Sequence, residues 1–144
     1  MDLHFHHLGM ACRNIEAELS ELAIAGYSPE GLVFEDPIQQ VRIQFVSGGG
    51  PRLELIEPAG AQSPVEGILK RGGKFYHLAY EVSQLDDAIA CFTARQYFPV
   101  SSPAPAVAFG MRRIVFLSSA TRTLIELIEA RTEHELAKCR SGAE

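Results

Sequence analysis

Two stretches of the chain alternate apolar and polar residues and then change to the spacing of an amphipathic helix. The alternation predicts strands at about 4–11 and 74–82, because successive side chains of a strand point to opposite faces. Helices should follow both strands, with Asn14 as a cap and Gly26 as a stop for the first. Their apolar stripes consist of Ile15, Leu19, Leu22 and Ile24 in the first helix and of Leu85, Ile89 and Phe92 in the second.

Shorter alternating segments predict three more strands after each helix. They lie near 31–35, 41–47 and 52–57 in the first half, and near 97–100, 111–118 and 123–129 in the second. Segment 101–110 contains two prolines and no charge, so we expect a semi-rigid loop there. A short helix is expected at 131–139.

The two halves of the chain repeat each other. HLG at 7–9 matches HLA at 77–79, RIQFVS at 42–47 matches RIVFLS at 113–118, and LELIE at 53–57 matches IELIE at 125–129. The offsets are 70, 71 and 72 residues, in the same order, which indicates a duplicated unit. We therefore predict an α+β fold in which two tandem βαβββ modules form a curved mixed sheet around a cleft. One domain should span 1–144, with module one at about 3–58, a linker at 59–73, module two at about 74–130 and a tail at 131–144.

Alternation also assigns residues to faces of the sheet. One face is apolar enough to pack against the helices, and the other should line the cleft. The residues assigned to the cleft face are His7, Glu54, His77 and Glu126, together with Arg42, Gln44 and Arg113. His4 and His6 fall on the opposite face from His7. A bulge in any strand would shift this assignment.

Two imidazoles and two carboxylates form a mixed nitrogen and oxygen set that suits a divalent ion such as Zn, Co, Ni or Mn. A single strand histidine is more often a hydrogen-bonded sheet residue, and a glutamate between leucines more often faces solvent. Here, however, His and Glu recur at matched positions in both halves. The pattern therefore predicts one divalent ion per chain, held by His7, Glu54, His77 and Glu126.

The composition of the chain limits the classes of partner that we expect it to bind. Thirteen Lys and Arg against 18 Asp and Glu give a net charge of −5, which is atypical of a nucleic-acid-binding protein. Three cysteines without CxxC spacing suggest reduced thiols and a cytoplasmic protein. No apolar run is long enough for a membrane span, and we expect no signal peptide at the N-terminus.

The sequence resembles the vicinal oxygen chelate superfamily, which includes glyoxalase I, extradiol dioxygenases, bleomycin-resistance proteins and methylmalonyl-CoA epimerase. HHLGMA (6–11), RLELIEP (52–58), FYHLAYEV (75–82) and LIELIEA (124–130) are similar to its metal-bearing strands, and 63–82 is similar to the linker of the epimerase branch. The resemblance implies the same four metal ligands and makes Glu126 the candidate base. That branch also implies a second acid, whose position falls near Ile38, with Glu35 or Asp36 as substitutes if the register shifts.

Several functions remain open. The first is a metal-dependent isomerase or epimerase acting on an acyl thioester or carbonyl acid, with a glyoxalase-type lyase acting on a glutathione adduct as its neighbour. Arg42 and Arg113 could pair with a substrate carboxylate or phosphate, or could equally neutralise Glu54 and Glu126. Gln44 also belongs to this predicted substrate-binding set, and Phe109 would suit an apolar wall of the cleft. The alternatives are a non-catalytic small-molecule binding protein and a structural domain with a relic site. A homodimer is expected, since open sheets leave edges to protect.

Overall fold

The computed structural model describes residues 1–132 and shows two consecutive βαβββ units, the second with one additional short strand, so the predicted α+β architecture is confirmed. The predicted helix at 131–139 lies, from residue 133 onward, outside the described residues. The assignment of one domain to 1–144, with its module limits, stays a prediction. The first unit consists of β1 (Leu3–Ala11), α1 (Ile15–Ile24), β2 (Ser28–Asp36), β3 (Val41–Ser47) and β4 (Leu53–Pro58). After α2 (Pro64–Lys70), the second consists of β5 (Phe75–Val82), α3 (Leu85–Thr93), β6 (Phe98–Pro99), β7 (Ala104–Ala106), β8 (Arg112–Ser118) and β9 (Leu124–Glu129).

All nine strands of the described chain belong to one mixed sheet, in the order β2-β3-β4-β1-β5-β9-β8-β6, with β7 paired to β8. β1 and β5 run antiparallel at its centre, and each has a parallel neighbour, β4 or β9. The sheet curls and brings its two units together: Asp36, at the end of the edge strand β2, accepts a hydrogen bond from Val107 N in the other unit, at 3.1 Å. The cleft of the predicted curved sheet lies inside this curl.

The first helix follows the expected capping chemistry. Asn14 Oδ1 accepts from Ala17 N at 2.8 Å, and Glu57 Oε2 accepts from Ile15 N at 2.8 Å. Ile15 is fully buried, whereas Ile24 is 88% exposed. The prediction that Ile24 belongs to the apolar stripe is therefore wrong. Two residues along a helix turn by about 200°, so Ile24 points away from the face that Leu22 shares with Ile15.

The sheet is buried on both faces around its middle. One face packs against α1 and α3 through two clusters, of which Ile15, Leu55 and Leu127 are fully buried members. The inner face carries a third cluster with Val41, Phe45 and other side chains of the cleft. Glutamate and histidine side chains on the inner face are therefore enclosed by apolar side chains.

The uncharged segment 101–110 is more regular than predicted. It contains β7 and a 3₁₀ turn, Val107–Phe109, instead of a loop throughout. Pro105 can occupy this strand because β7 has only one neighbour, β8, so its missing N–H breaks no ladder on the other side. Within residues 1–132, no helix is long and apolar enough to cross a membrane.

Candidate metal centre

The four predicted ligands lie on the four central strands, one on each. Gly9 of β1 pairs with both Glu54 and His77, while His7 pairs with Ala79, which in turn pairs with Glu126. The arrangement has pseudo-twofold symmetry, since each histidine lies opposite a small residue whose other neighbour across the sheet is a glutamate. Duplication of one strand pattern is thus enough to bring all four side chains to one point.

The four side chains meet at hydrogen-bond distance and are almost completely buried, with exposures of 0–3%. His7 Nε2 lies 3.0 Å from His77 Nε2, 2.9 Å from Glu54 Oε2 and 3.2 Å from Glu126 Oε2. His77 Nε2 lies 3.5 Å from Glu54 Oε2 and 3.3 Å from Glu126 Oε2. All four ligand atoms fall within 4.8 Å of one another, so one ion could contact every one of them.

A single glycine makes room for one of the two imidazoles. A Cβ on Gly9 would overlap the ring of His77, which lies flat against this part of β1. The same ring contacts Tyr76, Phe116 and His7 edge-on, with centroids 4.5–5.2 Å away. His77 is therefore fixed by packing on several sides.

The charges of the two carboxylates favour positive charge at the centre. Burial alone would lower the pKa of His7, but Glu54 and Glu126 outweigh it and raise that pKa to about 9. The same carboxylates raise the pKa of His77 against its burial. Burial opposes ionisation of Glu54 and Glu126, yet the two imidazoles hold both carboxyl pKa values below their usual range.

The donor set fits a divalent cation. Two imidazole nitrogens only 3.0 Å apart, facing two carboxylates, form an arrangement that a shared cation satisfies. Glu126 Oε2 is buried, with His7 Nε2 at 3.2 Å and His77 Nε2 at 3.3 Å. A cation placed between these atoms would contact the carboxylate and both rings.

His6 also lies against this centre, which the face assignment missed. β1 has a bulge between Phe5 and His7, so His6 turns to the cleft side instead of the opposite one. Its ring packs against Phe45 and Phe109, and its Nδ1 lies 2.9 Å from His7 Nδ1. Burial, followed by the charges of His7 and Arg52, lowers the pKa of His6 to about 4.

Beside the centre lies a cavity of about 440 Å³, within the usual range for small-molecule sites. Glu54 and Glu126 form part of its wall, and Phe109 lines it as the prediction of an apolar wall required. Tyr76 reaches this wall because β5 and β1 change register between Gly9 and Met10. Its other lining residues include Val41, Ile43, Ile56, Val65, Ile68, Ala106, Ile114, Phe116 and Leu124, with Asp36, Gln39 and Arg71 among the polar ones.

The segment expected to supply a second catalytic acid contains no carboxylate that faces the cavity without other partners. Ile38, at the expected position, is 53% exposed, and Glu35 is an exposed partner of Arg42 on the helix side. Asp36 is buried and borders the cavity, but its carboxylate accepts hydrogen bonds from three backbone N–H groups: those of Ile38, Gln39 and Val107. Asp36 therefore joins the two units.

The structure corrects three cleft-face assignments. Phe45, not Gln44, pairs with Glu54, and Phe116, not Arg113, pairs with Glu126, so the arginines and Gln44 point to the helix side. Arg42 bonds Glu57 at 2.9 Å and Arg113 bonds Glu129 at 2.7 Å. Gln44 donates to backbone carbonyls at 3.0–3.1 Å. The error arose because the phase between neighbouring strands depends on their register, which alternation within one strand does not reveal.

Fold and site together define a class: two βαβββ units whose central strands present a buried chelating cluster to a shared cleft. The chain belongs to the glyoxalase/bleomycin resistance protein/dioxygenase superfamily, whose model matches residues 6–116. This confirms the resemblance seen in the sequence and the glyoxalase-like fold.

Relatives and solved structures point to one branch. The mitochondrial methylmalonyl-CoA epimerase of Bos taurus is 31% identical over 65% of this chain, which spans only 55% of that protein. The uncharacterised protein YqjC of Bacillus subtilis is 31% identical over 67% of this chain and 74% of its own length. Methylmalonyl-CoA epimerase from Mycobacterium tuberculosis has the same fold, with a TM-score of 0.75 at 22% identity over 90% of this chain and 89% of its own.

Proposed function

We propose that this protein is a divalent-metal-dependent isomerase or epimerase that acts on a small acyl thioester. The observation that carries the proposal is the convergence of two imidazoles and two carboxylates, nearly fully buried, at the wall of a largely apolar cavity. Relatives named methylmalonyl-CoA epimerase support the thioester, and one solved neighbour is described in complex with methylmalonyl-CoA. The ligands proposed are His7, Glu54, His77 and Glu126.

The chemistry follows from what these side chains can hold. A bound cation would supply positive charge next to a carbonyl oxygen on which negative charge develops as an adjacent C–H bond breaks. Glu126 is the proposed base: the superfamily resemblance implies this role, and the carboxylate borders both the cavity and the cluster. The apolar wall with Phe109 excludes water from the reacting carbon.

The rim of the cavity suggests how an anionic substrate is oriented. Arg71 is the one Lys or Arg among the described residues that line the cavity. A guanidinium there suits a carboxylate or phosphate oxygen of the substrate. We therefore assign this role to Arg71 and not to Arg42 or Arg113.

The position of Asp36 favours a second candidate function. With Asp36 held by three N–H groups, the base available in the cavity is a carboxylate of the cluster itself. A single base can move a proton between adjacent carbons, as in a glyoxalase-type reaction on a glutathione adduct, whereas inversion at one carbon needs a proton donor on the other side. A non-catalytic binding protein is the remaining alternative, and a homodimer in the cytoplasm stays our expectation for the assembly and location.

The test begins with the metal content of tag-free protein after loading with Zn, Co, Ni or Mn and exhaustive dialysis, with His77→Ala alongside. About one ion per chain, lost in the variant, is expected. Absence of a retained ion from the wild-type protein would refute the proposal and favour a binding module.

The reaction is then tested by exchange of the α-proton of methylmalonyl-CoA in deuterated water, followed by NMR. Exchange with inversion supports the epimerase, and exchange without inversion supports single-base chemistry. Glu126→Gln should abolish exchange, while Glu129→Gln, on the same strand but paired with Arg113, should not. Lack of turnover with both methylmalonyl-CoA and the methylglyoxal–glutathione adduct would exclude both named substrates.

A further inference from the structure

A break in the pairing of β5 turns Tyr76 into the cleft. Regular alternation would place Tyr76 with Leu78 and Tyr80, which pack on the helix side of the sheet. The pairing of β5 with β1 is irregular between Phe75 and His77, and Tyr76 packs with the apolar cluster of the inner face instead. Such irregularities are frequent next to active sites, where they re-aim a side chain. Tyr76 therefore lies on the same side of the sheet as the metal centre.

The ring of Tyr76 is held against the centre, and its hydroxyl is left without a partner. Its centroid lies 4.5 Å from that of His77, with the two planes at 81°. Tyr76 also lines the cavity of about 440 Å³, whose wall includes Glu54 and Glu126. Its hydroxyl makes no hydrogen bond within residues 1–132 and is not one of their fully enclosed unpaired polar atoms. The hydroxyl is therefore accessible to a ligand in the cavity.

The other polar groups of the wall do not supply a donor next to the centre. Glu54 and Glu126, as carboxylates, can only accept hydrogen bonds. Arg71 and Ser101 also line the cavity, but both are exposed residues. Among the described residues that line the cavity, Tyr76 is the one side-chain donor whose ring contacts a histidine of the centre. An anionic oxygen bound beside the centre would thus find its nearest neutral donor in Tyr76.

We propose that the Tyr76 hydroxyl donates a hydrogen bond to the ligand oxygen on which negative charge develops, which makes Tyr76 a catalytic residue. The inference rests on the proposed function. A donor whose ring is already held in an apolar cavity stabilises such an oxygen with little reorganisation. The hydrogen bond acts in addition to the charge of the cation, and no proton is transferred to or from Tyr76.

The first test measures binding of oxalate, a small dianion, to the Zn-loaded protein by calorimetry. Tyr76→Phe keeps the ring against His77 and removes only the hydroxyl, so its Zn content should equal that of the wild type. Oxalate should bind about 10–100-fold more weakly to the variant, as expected for loss of a hydrogen bond to a charged group. The chain contains no Trp, so oxalate should also change the near-ultraviolet absorption of tyrosine in the wild type, and this change should be smaller in the variant.

The second test measures exchange of the α-proton of methylmalonyl-CoA. Removal of one donor to a developing oxyanion typically lowers kcat by about 10²–10³-fold, and we expect this loss in Tyr76→Phe. Tyr80→Phe is the matched control for both tests, since Tyr80 lies on the same strand but packs against Phe5 on the helix side. It should bind oxalate and exchange the proton like the wild type.

Three results would overturn the inference alone: wild-type oxalate affinity in Tyr76→Phe, loss of Zn from that variant, or a Zn-loaded wild-type protein that does not bind oxalate. The second of these would assign the hydroxyl to the stability of the centre and not to the ligand. A wild-type protein that retains no ion would instead overturn the proposed function, and the inference with it.

Discussion

The substitution Gly9→Ala should damage the centre, although it adds one methyl group. The new Cβ would overlap the ring of His77, which is buried and enclosed by Tyr76, Phe116 and His7. Without a steric conflict, Gly→Ala stabilises a folded chain by about 0.4–1 kcal/mol through the unfolded state. Overpacking in a dense core costs about 1–3 kcal/mol, so we expect a net loss of about 1–2 kcal/mol.

The sign of the effect makes the experiment decisive. The free energy of unfolding would be measured in urea with a chelator present, and Zn affinity separately. Ala79→Gly, at the corresponding position of the second unit, is the control: it should lose at most about 1 kcal/mol and keep its Zn affinity. A Gly9→Ala protein that is as stable as the wild type and binds Zn equally well would show that His77 does not lie over Gly9.

Four further outcomes follow from the same geometry. Asp36→Ala should lower the free energy of unfolding by about 2–4 kcal/mol in urea, because it leaves the half-buried Val107 N–H and two loop N–H groups without their acceptor. In the metal-free protein the pKa of His7 is raised to about 9, so the stabilisation from its charge is complete below about pH 6.5 and is lost as pH rises to 9. Thermal melting should show this loss with a chelator and not with saturating Zn, which needs the neutral imidazole. Arg42→Gln should leave kcat and KM unchanged, since that side chain pairs with Glu57 on the helix side. Arg71→Gln should raise KM for a CoA thioester with little change in kcat; an unchanged KM would exclude a role in substrate binding.

The duplication made most of the fold predictable from the sequence. Matched segments at offsets of 70–72 residues indicated two βαβββ units, and the strands at 41–47 and 111–118 are found within one residue of their predicted limits. The same repetition singled out the four residues that the structure brings together, because His and Glu recur at equivalent points of both halves. Helix limits were equally readable, since Asn14 provides a side-chain acceptor for the first turn.

The errors come from information that one strand does not contain. Arg42 and Arg113 were assigned to the cleft by alternation. The pairing of Phe45 with Glu54 puts Arg42 on the other face, and the pairing of Phe116 with Glu126 does the same for Arg113. His6 was assigned to the wrong face because a bulge depends on the partner strand. The one signal of this in the sequence was that a ring side chain precedes the ligand histidine in both units, as His6-His7 in the first and as Tyr76-His77 in the second.

The differences between the two units explain why the centre opens to one side. The ligands repeat, but the residues next to them do not: His6 in the first unit corresponds to Tyr76 in the second. His6 fills its side by packing against Phe45 and Phe109, with Arg52 Nη1 2.9 Å from its Nε2, and borders a small recess of about 180 Å³. Tyr76 borders the cavity of about 440 Å³ that includes both glutamates. A small molecule therefore has room on the Tyr76 side. The duplicated unit became an asymmetric site through the residues beside the cluster and not through the cluster itself.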